Sequence, residues 1–391
     1  MVRKQVVGLC SSVFLMMLGV GAIVALLPGK VISLSGSVSA TAYLAALFAV
    51  PYVCLQVPCG RMADRFGFKP FLVAGYALCF LTGLLYCLAG GAGLLFTGRL
   101  LQGVGEAPVW ALAPGMLSLQ DPVGKGRLMG YYNASLHLGL TAGPLLGTFL
   151  CGRWTEGGAF LFYSAVCFLG TAIVALTVQE PRQNKGESVD RTGYGAIRSL
   201  ALEDGTLFVL TGIVLYGACY GLFLTIIPGF LIAARGYGAS QSGFFFMLFY
   251  LSLSVSQLVA GPLLDRREAK PFMICGFFMA AGGLGIFPGA SGPAAAGSLV
   301  LASLGLGIAS LSSMAYLNGR APHSMKGSVS GAYYLFWGIG YFAGPLAVGE
   351  LGKHAGFEAC FRGVALVVAA NAAAIAGAGI MKRCQSRKMQ R

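Results

Sequence analysis

Apolar residues along this chain fall in long continuous runs, broken by short segments rich in charge, Pro and Gly. A helix needs about 20 such residues to cross a hydrocarbon core roughly 30 Å thick. Read at those breaks, the chain predicts twelve spans: 7–27, 38–59, 71–89, 92–118, 127–151, 159–178, 206–233, 241–263, 271–289, 294–318, 327–350 and 359–381. Membrane strands would alternate apolar and polar residues, and these runs do not. The expected fold class is an all-α membrane protein of twelve transmembrane helices.

The longest polar stretch, Gln179 to Asp204, separates six spans from six. It predicts an N-terminal six-helix bundle over 1–180, a cytoplasmic linker over 181–205 and a C-terminal six-helix bundle over 206–391. Arg3 and Lys4 precede the first run as in a secretory leader, but no small-residue cleavage site leads into a soluble domain. Val7 to Leu27 is therefore read as a retained first helix.

Composition agrees. Of 391 residues, 57% are apolar and 10% charged, where a soluble domain carries about a quarter charged. The net charge of +14 lies in short loops rather than along a helix face, which argues against nucleic acid as partner. With the N-terminus inside, 21 of the 27 Lys and Arg fall on the cytoplasmic side and five outside. That bias predicts both termini cytoplasmic in a bacterial inner membrane. The eleven cysteines are scattered, with no Cys-x-x-Cys or Cys/His cluster, so neither metal nor cofactor is expected.

A repeat crosses the linker. Gly60-Arg-Met-Ala-Asp64-Arg65-Phe-Gly67-Phe-Lys69-Pro70 follows the second span, and Gly261-Pro-Leu-Leu-Asp265-Arg266-Arg-Glu-Ala-Lys270-Pro271 follows the eighth. Related six-helix halves place a substrate path at their interface near the midplane. Gly60 permits close helix approach, and Asp64 sits where a carboxylate meets a helix N-terminus or basic partners. Such a cluster could latch the halves on the cytoplasmic side, with Asp121 as a partner; the alternative is a charged loop that only sets topology.

Two further segments are distinctive. Gly98-Arg99-Leu-Leu-Gln102-Gly103-Val-Gly105-Glu106-Ala107 puts a charge inside an apolar span, which costs a few kcal/mol and requires a partner or a wet cavity. In Leu138-Gly139-Leu-Thr141-Ala-Gly143-Pro144-Leu-Leu-Gly147, Gly139, Gly143 and Gly147 form one smooth face for close packing, and Pro144 removes a backbone donor. Gly340, Gly344 and Pro345 echo it in the eleventh span. These three segments resemble the loop, fourth-helix and fifth-helix motifs of the major facilitator superfamily, and with the six-plus-six layout the resemblance covers nearly the whole chain. The chain resembles in particular the twelve-helix drug:proton antiporter branch. The resemblance implies two bundles working by alternating access, a role for Arg99 in substrate or proton coupling, and export for the fifth-helix motif. The alternatives are a structural arginine bonded to backbone carbonyls of a neighbouring helix, and plain close packing. The family would hold a basic residue at Phe68, so any latch here rests more on Arg65 and Lys69.

Glu106 is the only acidic residue well inside a span, and seven residues after Arg99 it shares nearly the same helix face. His137 in the fifth span lies at similar depth. Burial disfavours a carboxylate's charge and a neighbouring cation favours it. That balance makes Glu106 the candidate proton-coupling acid, with Arg99 and His137 as modulators; the alternative is a static pair joining two helices. The C-terminal half offers aromatics instead of charge: Tyr216 and Tyr220, then Tyr334 and Trp337 at helical spacing. With Asn133 and Gln257 they are the candidate cargo contacts, the alternative being packing and interfacial anchoring.

The expected activity is proton-coupled efflux of a small amphipathic or drug-like solute by a monomer embedded in lipid. Uptake or exchange of an organic anion, with Arg99 as counter-charge, and lipid or lysolipid flipping remain open. So does a scaffold role. An enzyme is not expected, since the chain lacks a nucleophile–base pair, phosphate loop or metal cluster.

Overall fold

The computed structural model describes residues 2–24, 26–35, 41–120, 124–153, 156–180, 205–236 and 239–389. Among them the chain is helical throughout, with fourteen α-helices and two short 3₁₀ turns. In chain order they are α1 (Val2–Val24), α2 (Leu27–Ser35), α3 (Thr41–Phe66), α4 (Lys69–Cys87), α5 (Ala92–Gln120), α6 (Lys125–Arg153) and α7 (Glu156–Thr177). Then follow α8 (Thr206–Leu224), α9 (Ile226–Arg235), α10 (Ala239–Leu264), α11 (Ala269–Ile286), α12 (Gly292–Arg320), α13 (Lys326–Ala355) and α14 (Phe357–Met389). The expected linker over 181–204 and Asp121 lie outside the described residues.

Two expected spans are divided rather than continuous. The seventh stops at Leu224 and restarts at Ile226, with the Thr225 hydroxyl and N–H both donating to the Gly221 carbonyl at 2.7 and 3.0 Å. Pro228-Gly229 follows in the first turn of α9, where proline's missing N–H costs nothing. The first span ends α1 at Val24, and a new helix, α2, opens on Leu27-Pro28-Gly29. Both Pro-Gly pairs are visible in the sequence, and a hydropathy reading passes over them because the flanks stay apolar.

Nine of the described helical stretches are long and apolar enough to cross a membrane; α5, α6 and α13 are not among them. They are also the helices that carry Arg99 and Glu106, His137, and the first-turn groups bonded to Asp64. Inside protein a helix has no need of an apolar surface, and α5 is buried along most of its length. Elsewhere large apolar side chains such as Leu88, Leu176, Leu145 and Leu366 stand exposed, as a lipid-facing surface requires.

The chain divides into two compact units, one of residues 1–191 with 322–335 and one of 192–321 with 336–391. This departs from a plain halving of the sequence, because the first turns of α13 group with α1–α7. In the first unit α6 packs on α1, α7 on α1 and α4, and α5 on α3 and α4. The three motif glycines lie on that first seam: a Cβ on Gly139 would meet the Phe14 carbonyl at 2.6 Å, one on Gly143 would meet Gly21 Cα at 2.6 Å, and Gly147 abuts Ala22. In the second unit α12 packs on α10 and α11, and α14 on α11. There the echo is seated alike, Gly340 against the Val214 carbonyl and Gly344 against Ala218 of α8. Both glycine stripes thus do the same mechanical work. Backbone cannot yield to an added side chain, so Gly143→Val should cost about 3 kcal/mol or more, seen as a fall in detergent melting temperature and folded yield.

Candidate functional site

The polar centre of the first unit is a stripe on one face of α5. Arg99, Gln102, Glu106 and Trp110 follow at spacings of three, four and four residues, which align side chains along a helix. Arg99, Gln102 and Glu106 are all buried, Gln102 completely. The motif's glycines let the walls close on it: Gly103 abuts the Phe48 carbonyl of α3, Gly98 the Tyr86 ring, and a Cβ on Gly105 would stand 2.8 Å from Cys79 Sγ of α4.

The stripe forms one hydrogen-bonded chain. Arg99 Nε donates to the Leu44 carbonyl of α3 at 2.9 Å, and its guanidinium lies 4.9 Å from the Phe48 ring. Arg99 Nη1 donates to Gln102 Oε1 at 2.9 Å, and the Tyr86 hydroxyl donates to the same oxygen at 2.8 Å. Gln102 Nε2 then donates to Glu106 Oε1 at 2.8 Å, and Trp110 Nε1 to Glu106 Oε2 at 3.3 Å. Arginine offers only donors, so the oxygen end of Gln102 must face Arg99 and its amide must face Glu106. Arg99 and Glu106 are therefore joined through Gln102, not directly. His137 is buried on α6, one turn beyond buried Asn133, and neither is bonded to Glu106. Gln102 and Trp110 were not picked out from sequence, although their spacing from Glu106 signals them.

A second polar cluster lies at the end of α3. Asp64 is buried, and its Oδ1 accepts from the Gly327 N–H at 2.8 Å. Its Oδ2 accepts from the Ser328 N–H at 2.8 Å and the Ser328 hydroxyl at 2.6 Å. The carboxylate thus caps the first turn of α13, satisfying donors that a helix start leaves unpaired. Gly60 and Gly327 make the approach possible, each abutting the other's backbone. Gly67, at φ +96°, turns the chain into α4, whose first N–H groups at Phe68 and Lys69 donate to the Glu180 carboxylate at 2.9 and 2.6 Å. Phe68, at the position where the resemblance would place a basic residue, is buried. Arg65 lies 5.1 Å from the Phe66 ring. In the repeat, Asp265 and Arg266 form the turn after α10, with the Arg266 N–H donating to Leu263 at 3.1 Å.

Lys326, the first residue of α13 and ahead of its apolar run, is buried. Burial first, and the charge of Lys125 second, push its ammonium down from 10.5 to about 8. The folded chain therefore holds this proton less tightly than the unfolded chain, so stability is lowest below pH 8 and recovers as pH rises toward 10.5. Lys326→Met should raise the melting temperature at neutral pH and flatten that alkaline rise in a thermal-unfolding series.

In the second unit the aromatic candidates converge. Tyr220 is central, 5.9 Å from Tyr216, 5.1 Å from Phe249 and 5.4 Å from Trp337 between ring centroids. Trp337 stacks on Tyr341 at 5.1 Å, and Gln257 Nε2 donates to Ser310 Oγ at 3.2 Å. Tyr334, by contrast, belongs to the first unit, 5.5 Å from Trp110.

Helices with a lipid-facing apolar surface around a buried polar stripe define a polytopic membrane protein with a polar interior. The Major Facilitator Superfamily profile matches residues 9–345, and the chain belongs to that family. Among curated relatives, Multidrug resistance protein 2 of Bacillus subtilis is 29% identical over 44% of this chain and 43% of its own. The class C tetracycline resistance protein of Escherichia coli is 23% identical over 94% of each. The match thus spans under half the length of the first relative and nearly all of the second. In fold, the human organic anion transporter MFSD10 aligns with TM-score 0.80 at 18% identity, covering 96% of this chain and 99% of its own. The Escherichia coli fucose:proton symporter FucP aligns with TM-score 0.79 at 13% identity, covering 95% and 98%.

Proposed function

We propose that this transporter exports a small amphipathic, drug-like solute in exchange for protons, with Glu106 as the acid that is loaded and released. The observation that carries the reading is a carboxylate at 2% exposure whose two oxygens are held by Gln102 and Trp110, with Arg99 one residue removed through the amide. A site of this kind holds a proton or a charge with little help from water, so its occupancy responds to whichever side of the membrane it faces. The resistance functions in the names of two relatives support export. The Lys and Arg bias supports a bacterial inner membrane with both termini cytoplasmic.

Alternating access would be latched by Asp64 on the first turn of α13, with Gly60, Arg65, Gly67 and Lys69 shaping the loop. Asp265 and Arg266 take the corresponding place in the repeat. His137 acts from α6 on the electrostatics of the stripe rather than by bonding Glu106. The cargo contacts are Tyr216, Tyr220, Gln257 and Trp337 in one unit and Asn133 and Tyr334 in the other, aromatic surfaces suited to flat, weakly charged molecules. Two of the Arg99 donors are taken by the Leu44 carbonyl and Gln102, which holds the guanidinium in the stripe beside the Glu106 chain.

The test is flux in proteoliposomes with cationic, neutral and anionic solutes. Proton movement opposite to an amphipathic solute is expected. Flux of anions alone, or of solute without protons, would replace export by exchange or uptake.

A further inference from the structure

Buried side-chain amides in this chain generally have protein partners. Gln102 uses both ends, Gln257 donates to Ser310, and Asn318 donates to the Met314 carbonyl. Gln56 differs. It is fully buried on α3, yet among the described residues neither its Nε2 nor its Oε1 has a hydrogen-bond partner. Gln120 shares the lack, but it is the half-buried last residue of α5, and at Asn371 of α14 the lack is at Nδ2. An amide carries two donors and an acceptor, and hiding them unpaired opposes folding. Retaining one at such a position calls for a partner that the protein itself does not provide.

Its surroundings say what that partner resembles. Gln56 is one helical turn from Tyr52 and one from Gly60, on the face of α3 that also bears Asp64. Tyr52 stacks on Phe48 at 5.4 Å and meets Trp110 edge-on at 6.2 Å; Trp110 in turn meets Tyr334 at 5.5 Å. The backbone carbonyl of Gln56 abuts Gly331, one turn before Tyr334 on α13. Gln56 thus shares its face of α3 with Tyr52, whose ring meets Trp110, and Trp110 donates to Glu106. All these residues belong to the first unit.

We propose that Gln56 is the hydrogen-bonding end of a cargo subsite walled by Tyr52, Trp110 and Tyr334. It selects flat aromatic solutes that carry an adjacent donor and acceptor, as a carboxamide does. The rings take the apolar face of the solute, and the amide pairs with its polar edge through two complementary hydrogen bonds. This rests on the export reading for the kind of solute, while the role of Gln56 is testable apart from proton coupling.

The experiment is equilibrium binding of two dyes with the same ring, 9-aminoacridine-4-carboxamide and 9-aminoacridine, to the full chain in nanodiscs, together with its melting temperature. Wild type should bind the carboxamide about tenfold more tightly, the amount one good amide pairing contributes. Gln56→Leu should bind both dyes equally, and its melting temperature should stay level or rise, because it removes an unpaired amide. A fall in melting temperature would mean that the amide has a protein partner and would overturn the subsite. So would equal binding by wild type, or a preference that survives in Gln56→Leu. Binding of neither dye by wild type would count against the amphipathic cargo and the subsite together, whereas binding without preference counts against the subsite alone.

Discussion

Asp64→Asn should slow solute transport by one to two orders of magnitude while leaving the folded yield close to wild type. The carboxylate accepts from two backbone N–H groups at the start of α13 and from the Ser328 hydroxyl. An asparagine keeps one oxygen and turns an amide donor toward another donor. Bonds to a charged acceptor are worth about 1.5–3 kcal/mol each, so losing one changes the population of the capped arrangement by about tenfold or more. The helix dipole loses its counter-charge at the same point. Two measurements separate latch from scaffold. Hydrogen exchange at Gly327 and Ser328 should quicken, and the melting temperature should fall by only the few degrees that one lost bond accounts for. Quickened exchange with wild-type transport would take the latch out of the mechanism; slowed transport with a collapsed melting temperature would make Asp64 a structural cap only.

Glu106→Gln should abolish proton movement triggered by solute and cut uphill transport about a hundredfold, with downhill solute exchange retained. The substitution is close in shape, and its oxygen can still accept from Gln102 Nε2. Its amide then faces the Trp110 N–H, one donor against another, which costs about 1–3 kcal/mol. Trp110→Phe in the same background removes that clash and should restore stability without restoring coupling. Gln102→Leu is the companion test, since it leaves Glu106 an acid but removes the amide that separates it from Arg99. Coupled transport by Glu106→Gln at the wild-type rate would end the coupling assignment, whatever the stability readings.

Much of this was legible in the sequence. The apolar runs foretold the helices, and the Gly-Asp-Arg repeat marked the two loops that turn into α4 and α11. Arg99 and Glu106 stood out because charge inside an apolar run is costly enough to need a reason. The glycine stripe of α6 foretold a close seam; its echo in α13 proved to line a second one. The new helix starts at Leu27 and Ile226 were missed because hydropathy is blind to a proline among apolar neighbours. Gln102 was passed over because a neutral amide costs little in a hydropathy count, although its bonds place Arg99 and Glu106 relative to each other.

What the sequence determined by itself is whatever follows from position along one helix: span length, the face shared by Arg99, Gln102, Glu106 and Trp110, and the smoothness of the glycine stripes. Helical periodicity is local, so these relations hold before any packing is known. The tertiary structure alone decided which helix each face meets. It gave Asp64 its partners more than 260 residues away, drew the start of α13 into the first unit, and kept Glu106 from bonding to His137 despite their similar depth. It also left Gln56 buried without a partner. Depth in a membrane is a single coordinate that hydropathy reports, whereas rotation about the helix axis and choice of neighbour are fixed by packing between distant segments.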